Sequence, residues 1–198
     1  MNKFLPLLAI AMIAATIDSY SNTPNNHSAQ QVQSKQSTQF PSSEVITTDK
    51  TRFVKKLSSL IDPSIIYDPS YVQLSYPDGD VAAHTGVCSD VIIRAFKNVG
   101  VSLQKEIHEF RKSSNLSTDK HIDHRRVRNL GPYFESLGLE VETKIFQPGD
   151  IIWWTLSSGL DHIGIVISNG KVLHNIGNGQ VADVYPTTFQ VHKVYRLK

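Results

Sequence analysis

The sequence predicts an α+β fold, with helices first and an antiparallel sheet after them. Three observations carry this. Apolar residues recur at helical spacing as far as Leu137. From Val141 onward, short runs rich in Val, Ile and Trp, bounded by Gly, Asn and Ser, read as strands. Apolar residues make up 40% of the 198 and charged residues 19%, enough to bury one core in a chain of one domain's length.

Taken in order, Met1-Asn2-Lys3 is a basic start, followed by an uncharged apolar run from Phe4 to Ile17 and then small residues, Ser19 and Ser21. Residues 1–21 therefore read as a signal peptide, with Ala14, Ala15 and Thr16 offering a second cleavage point and a buried N-terminal helix as the plain alternative. The expectation is a bacterial protein exported to the periplasm or secreted. With no cysteine in this segment, a lipid-anchored lipoprotein is not expected. Residues 22–47 are rich in Ser, Gln, Asn and Thr and read as a flexible polar linker, because they cannot bury enough surface to offset ordering entropy. The folded domain is expected over 48–198.

Within it, Thr48 or Asp49 caps a helix carrying Phe53, Val54, Leu57, Leu60 and Ile61, stopped by Asp62-Pro63. Further helices are expected over Cys88–Val99, with Gly100 as the stop, Leu103–Ser113, and Val127–Leu137 before Gly138. Strands are expected over Val141–Phe146, Ile151–Leu156, His162–Ser168, Lys171–Ile176 and Lys193–Leu197. Helices followed by strands segregate into layers.

Net charge is +2 and pI about 8.6, too balanced to point to nucleic acid. No apolar run reaches the roughly 18–20 residues of a membrane-spanning helix. Cys88 is the only cysteine, which rules out an internal disulfide and a Cys-rich zinc site. His121-x-x-His124 has no third or fourth ligand nearby in the sequence, so no metal and no cofactor is expected.

Cys88 opens the segment Cys88-Ser89-Asp90-Val91-Ile92, one turn before the apolar face of its helix. Unpaired N–H groups at a helix start stabilise a thiolate, and the thiolate is the nucleophile. The plain alternative is a buried cysteine packing as a small hydrophobe. In an exported protein, a lone thiol is more often one with a use.

A cysteine nucleophile needs a base, and the base an orienting partner. His162 opens one strand and His174 lies in the next, with Ser168-Asn169-Gly170 between them as a hairpin signal. A two-residue Asn169-Gly170 turn sends the two histidines to opposite faces. A three-residue loop pairs Ile167 with Lys171, sets His174 opposite Gly164, and makes His162 its diagonal neighbour on the same face. Diagonal neighbours lie roughly 7–8 Å apart at the backbone. The catalytic reading expects the three-residue loop; the plain one has a strand-end histidine and a satisfied core histidine.

Cysteine at a helix start, histidine on a strand and a polar residue on the next strand, in that order, resemble the NlpC/P60 group of papain-like cysteine peptidases. Pro148-Gly149-Asp150-Ile151-Ile152-Trp153 and His162-Ile163-Gly164-Ile165-Val166 are similar to that group's core segments. More narrowly, Tyr67-Asp68-Pro69-Ser70-Tyr71, the run from Gly86 to Ala95, Ile122–Val127 and His174-Asn175-Ile176-Gly177 resemble the DUF1287 family. The resemblance covers nearly all of the chain from about residue 50. It implies a circularly arranged papain-like fold, with Cys88 as nucleophile, His162 as base and His174 as orienting residue. It also implies a tyrosine upstream of the cysteine near the oxyanion region, and Tyr76 stands at a comparable place. Asp90 departs from the group's usual glycine.

The chemistry so implied is amide hydrolysis through an acyl-enzyme, with N–H groups at the helix start, including that of Cys88, holding the oxyanion. For an exported bacterial protein the expected substrate is the peptide part of peptidoglycan. An acyltransferase or lipid deacylase with the same Cys/His pair, and a cell-wall binding module without turnover, are the alternatives. Beyond the catalytic residues, Tyr76, Asp90, Asp123, His124, Arg125 and Trp153 are candidates for substrate or oxyanion binding. Arg125, Arg126 and Arg128 suit carboxylates; a salt-bridged turn anchoring the helix at Val127 is the plain alternative. Trp153 and Trp154 face opposite sides of their strand. Packing is the plain reading for both, as for Tyr71 and Tyr76.

Overall fold

The computed structural model describes residues 50–168 and 170–198. They belong to one compact unit, Thr38–Lys198. The signal-peptide and linker readings of residues 1–47 lie outside the described residues.

Helix α1 (Lys50–Leu57) buries Phe53 and Leu57 and runs into a turn of 3-10 helix, Ser58–Leu60. Two short parallel strands, β1 (Ile66–Tyr67) and β2 (Thr85–Gly86), then lead the chain to α2 (Cys88–Lys97). Helix α3 (Leu103–Ser113) follows, the Ser102 hydroxyl accepting the Lys105 N–H at its start. A 3-10 turn, Asp123–Arg125, precedes α4 (Val127–Ser136). The remaining strands are β3 (Ile151–Thr155), β4 (Asp161–Ser168), β5 (Lys171–Asn175), β6 (Gln180–Val184) and β7 (Gln190–Tyr195). They form one antiparallel sheet in the order β6-β5-β4-β3-β7.

Strand alternation divides the sheet's side chains into two layers. Ile151, Trp153, Ile163, Ile165, Leu173 and Tyr195 share the main core with Phe53, Val91, Ile92, Phe96, Leu130 and Phe134 of the helices. Each such side chain contributes roughly 1.5–3 kcal/mol by leaving water. On the other face, Ile152, Trp154, Val166, Val172 and Val194 form a smaller layer, packed against by Phe146, Tyr185 and Phe189. The two tryptophans thus lie in different layers, and both are buried.

The sheet region departs from expectation, and β7 begins at Gln190 rather than at Lys193. Val141–Phe146 is not a strand. It touches the sheet edge only where Glu140 bridges Tyr195 and the Val141 N–H meets the Val194 carbonyl. Its alternation is used differently: Ile145 is exposed while Phe146 stacks on Tyr185 to cover the smaller layer. Conversely β6 was not expected, because Val181 and Ala182 stand among Gly, Asn, Gln and Asp. Pairing with β5 makes it a strand.

Candidate active site

The geometry begins in the β4–β5 hairpin. The strands close with Ser168 opposite Lys171, a two-residue tip that by itself would separate His162 from His174. The expected three-residue loop is therefore not what forms. Instead a bulge between Val166 and Ser168 takes up Ile167, and beyond it Val166 faces Val172 and Ile165 faces Leu173. Continuing that register sets Gly164 opposite His174, with both histidines on the face of the smaller layer. A β-carbon at Gly164 would stand 2.8 Å from Val172 Cγ1 and 3.1 Å from His174 Cβ, so only glycine admits the ring there.

The two buried histidines meet directly. His162 Nε2 lies 2.8 Å from His174 Nδ1, with the rings tilted at 66°. Trp154 stacks on His162 from the neighbouring strand, its ring centroid 5.7 Å away. His174 Nε2 in turn lies 3.3 Å from Asp183 Oδ2 on β6, and Asn178 donates to the same oxygen. Asp183 was missed in the sequence because its strand was missed. Given the β5–β6 register, with His174 opposite Val181, it is the diagonal neighbour of His174 on the same face. Burial, helped by His174, pushes the His162 pKa down to about 3. Burial also lowers that of His174, against an opposing pull from Asp183.

Cys88 is the first residue of α2. The Val87 N–H just before it donates to Asp90 Oδ2 at 2.7 Å, so Asp90 holds the helix start. The N–H groups of Ile163, Ser89 and Cys88 itself favour the thiolate, but burial outweighs them and pushes the thiol up to about 11. The activation expected from the helix start alone is thus reversed by desolvation, and the site rests as a thiol and a neutral imidazole. Cys88 lies in the main core beside Ile163, whereas His162 stacks on Trp154 across the sheet. They converge on consecutive residues at the start of β4, without a hydrogen bond between them among the described residues.

The thiol opens onto a cleft of about 600 Å³ whose lining includes Tyr67, Arg125, Arg126, Arg128 and Asp161. Tyr76 is elsewhere: its hydroxyl donates to Glu109 at 3.2 Å and its ring packs on His108. Tyr67, at the end of β1, is the tyrosine that lines the cleft with Cys88 and Tyr71 beside it. The cis Tyr76-Pro77 peptide belongs to the loop that carries Tyr76 away.

Most of the other candidates build the wall. Arg125 grips both Asp90 oxygens at 3.0 Å and also donates to the Ser70 and Asp68 carbonyls. Four of its five N–H groups are engaged in this way, which ties the turn before α4 to the start of α2. Asp123 accepts the Asp119 N–H at 2.6 Å and pairs with Arg111. His124 is buried, its Nδ1 unpartnered and its pKa held down to about 4 by burial and Arg125. Trp153 donates to Asp161 at 2.9 Å, its ring lying against the backbone of Gly131. Arg128 pairs with Asp161, whereas the exposed Arg126 side chain lines the cleft with no hydrogen bond or salt bridge among the described residues. Among the described residues no group of three His, Cys, Asp or Glu side chains stands ready to hold a metal, and no helix is long and apolar enough to cross a membrane.

Comparison with known proteins places these features in context. A family model described as "Domain of unknown function (DUF1287)" matches residues 54–197. The uncharacterized protein YijF of Escherichia coli (strain K12) is 42% identical over 139 residues, 60% of this chain and 67% of that protein. Among solved structures, the P60 domain from the M. avium subspecies paratuberculosis antigen MAP1204 aligns with a TM-score of 0.43 at 16% identity, covering 77% of this chain and 96% of that one.

Proposed function

Since the chain belongs to the DUF1287 family, whose description carries no activity, its own site has to speak for its chemistry, and we propose that it is an exported cysteine hydrolase of the papain-like NlpC/P60 type, acting on amide bonds in peptidoglycan peptides. The observation that carries this is the bonded His162–His174 pair, set at the strand end where the chain's only thiol meets the sheet beside a cleft. A linked pair of rings gives the first a fixed orientation, which is what a base acting on a cysteine needs.

His162 Nε2 is engaged by His174, which leaves Nδ1 to take the Cys88 proton. Because burial keeps the thiol protonated, the proton leaves sulfur as sulfur attacks the carbonyl carbon. Catalytic hydrogen bonds commonly tighten only once substrate is in place, and the Cys88–His162 approach is one of these. The N–H groups of Cys88 and Ser89 at the helix start hold the oxyanion. His162 then passes the proton to the leaving amine as the C–N bond breaks. Water, deprotonated by the same ring, cleaves the thioester, and the proton returns to sulfur. Arg126, free in the cleft, supplies a cation for the carboxylates of an acidic peptide.

The test is to incubate the protein with purified peptidoglycan and identify released fragments by mass. Wild type should release peptide fragments, and Cys88→Ala and His162→Ala should each lose almost all release while remaining folded. Full activity in Cys88→Ala would reject the mechanism, and no fragments from wild type would reject the substrate.

A further inference from the structure

The diagonal chain across β4, β5 and β6 does not stop at the two histidines, and its third member decides which nitrogens carry protons. We propose that Asp183 is a positioning residue: through His174 it locks the His162 ring in the tautomer whose Nδ1 is bare and able to accept the thiol's proton. The proposal rests on the cysteine-hydrolase reading of this site and extends it by one residue.

The argument is one of donors and acceptors. An ionised carboxylate only accepts hydrogen bonds. Asp183 Oδ2, 3.3 Å from His174 Nε2, therefore requires the proton of His174 to sit on Nε2. Burial keeps His174 neutral, so its Nδ1 has a lone pair and no proton. His162 Nε2, 2.8 Å from that lone pair, must then be the donor. His162 is neutral too, so its only proton is spent on His174 and Nδ1 is left bare.

Without Asp183 the chain has a second solution. His174 can hold its proton on Nδ1 and donate it to His162 Nε2, which moves the His162 proton to Nδ1. That ring cannot accept a proton from a thiol. The two solutions are close in energy inside the pair itself, since each has one N–H···N bond. The carboxylate at the far end separates them. The backbone supports the placement: Asp183 faces Val172 and His174 faces Val181, so each step of the chain is a diagonal on one sheet face. Asn178 Nδ2 donates to Asp183 Oδ2 as well, which holds the carboxylate beside the ring.

The test reads protons directly, by long-range ¹H–¹⁵N NMR of the histidine side chains in the intact protein at neutral pH, for wild type and Asp183→Ala. In wild type both His162 and His174 should show a protonated Nε2 and an unprotonated Nδ1. In Asp183→Ala the two rings should lose this single pattern and show averaged or exchanged nitrogens, and in the fragment-release assay kcat should fall at least ~10-fold at unchanged KM, as loss of an orienting partner does. A wild-type His162 protonated on Nδ1, or an Asp183→Ala pattern identical to wild type, overturns the proposal. If Asp183→Ala does not fold, the wild-type spectrum decides alone. The spectrum is independent of turnover, so a protein with the expected tautomers that cuts nothing would overturn the hydrolase reading and leave the lock standing.

Discussion

Lowering the pH from about 7 to about 4.5 should destabilise the domain by an amount set largely by two histidines. His124 is 1% exposed and His162 2%. Their pKa values are held near 4 and near 3, against 6.5 for the free group. Both shifts are depressions caused first by burial, so the folded state disfavours the proton that the unfolded chain takes up readily. The stability each neutral ring contributes is thus present above the unfolded value and lost as pH falls toward the folded one. Integrating proton uptake over that interval gives ~2.5 kcal/mol for each ring, ~5 kcal/mol together. That is comparable with the whole stability of an ordinary domain, roughly 5–15 kcal/mol. Urea unfolding at the two pH values, on wild type, His124→Gln and His162→Gln, measures it. Each variant should lose ~2.5 kcal/mol less than wild type across the interval, since the carboxylates titrate alike in all three and cancel. A variant whose loss equals that of wild type would show that its histidine is not held neutral by the fold.

Three other outcomes follow from the same site. With the thiol pushed up to about 11, alkylation of Cys88 by iodoacetamide should accelerate steadily from about pH 7 to 10; a rate already flat from about pH 5 would mean a resting thiolate–imidazolium pair instead. Because Arg126 leaves a cation in the cleft, anionic iodoacetate should gain on neutral iodoacetamide by ~3–10-fold at low salt, and Arg126→Gln or high salt should remove the gain. An unchanged ratio in Arg126→Gln would take the carboxylate-recognition role away from that side chain. Gly164→Ala should cost ~1–3 kcal/mol in urea unfolding and weaken the His162–His174 contact, because the added carbon meets Val172, the Leu173 carbonyl and His174; unchanged stability would mean the strands part at no cost.

Local signals were legible in the sequence and long-range ones were not. The Leu103–Ser113 helix forms over the expected residues, and Cys88 begins its helix as expected, because apolar spacing and stop residues act within one or two turns. That the histidines share a face was readable, but the reason was not. The expected loop is replaced by a tip and a bulge that give the same register, and a bulge has no composition of its own here. Tyr67 was passed over for Tyr76 because which of these tyrosines shares the cleft with the thiol depends on a two-residue parallel pairing between β1 and β2, with no periodicity to announce it. Asp90 and Arg125, 35 residues apart, were readable as polar groups near a site. Only the fold shows that they bind each other through both carboxylate oxygens. The thiol's acidity was misjudged for a related reason: a helix start is visible in sequence, and the depth of burial around it is not.

The bulge at Ile167 also makes the β4–β5 hairpin a counting device. Each strand alternates faces, so the side on which His174 emerges depends on whether the number of residues between it and His162 is odd or even. Adding or removing one residue within β5, with the two-residue tip and the bulge both kept, would slip the register by one and turn His174 to the helix side, among residues such as Ile165 and Leu173. A change of two residues would leave the parity intact. The strands can therefore change in length only by pairs, unless the tip or the bulge changes at the same step, and Gly170 at φ 72° keeps the tip itself selective for glycine.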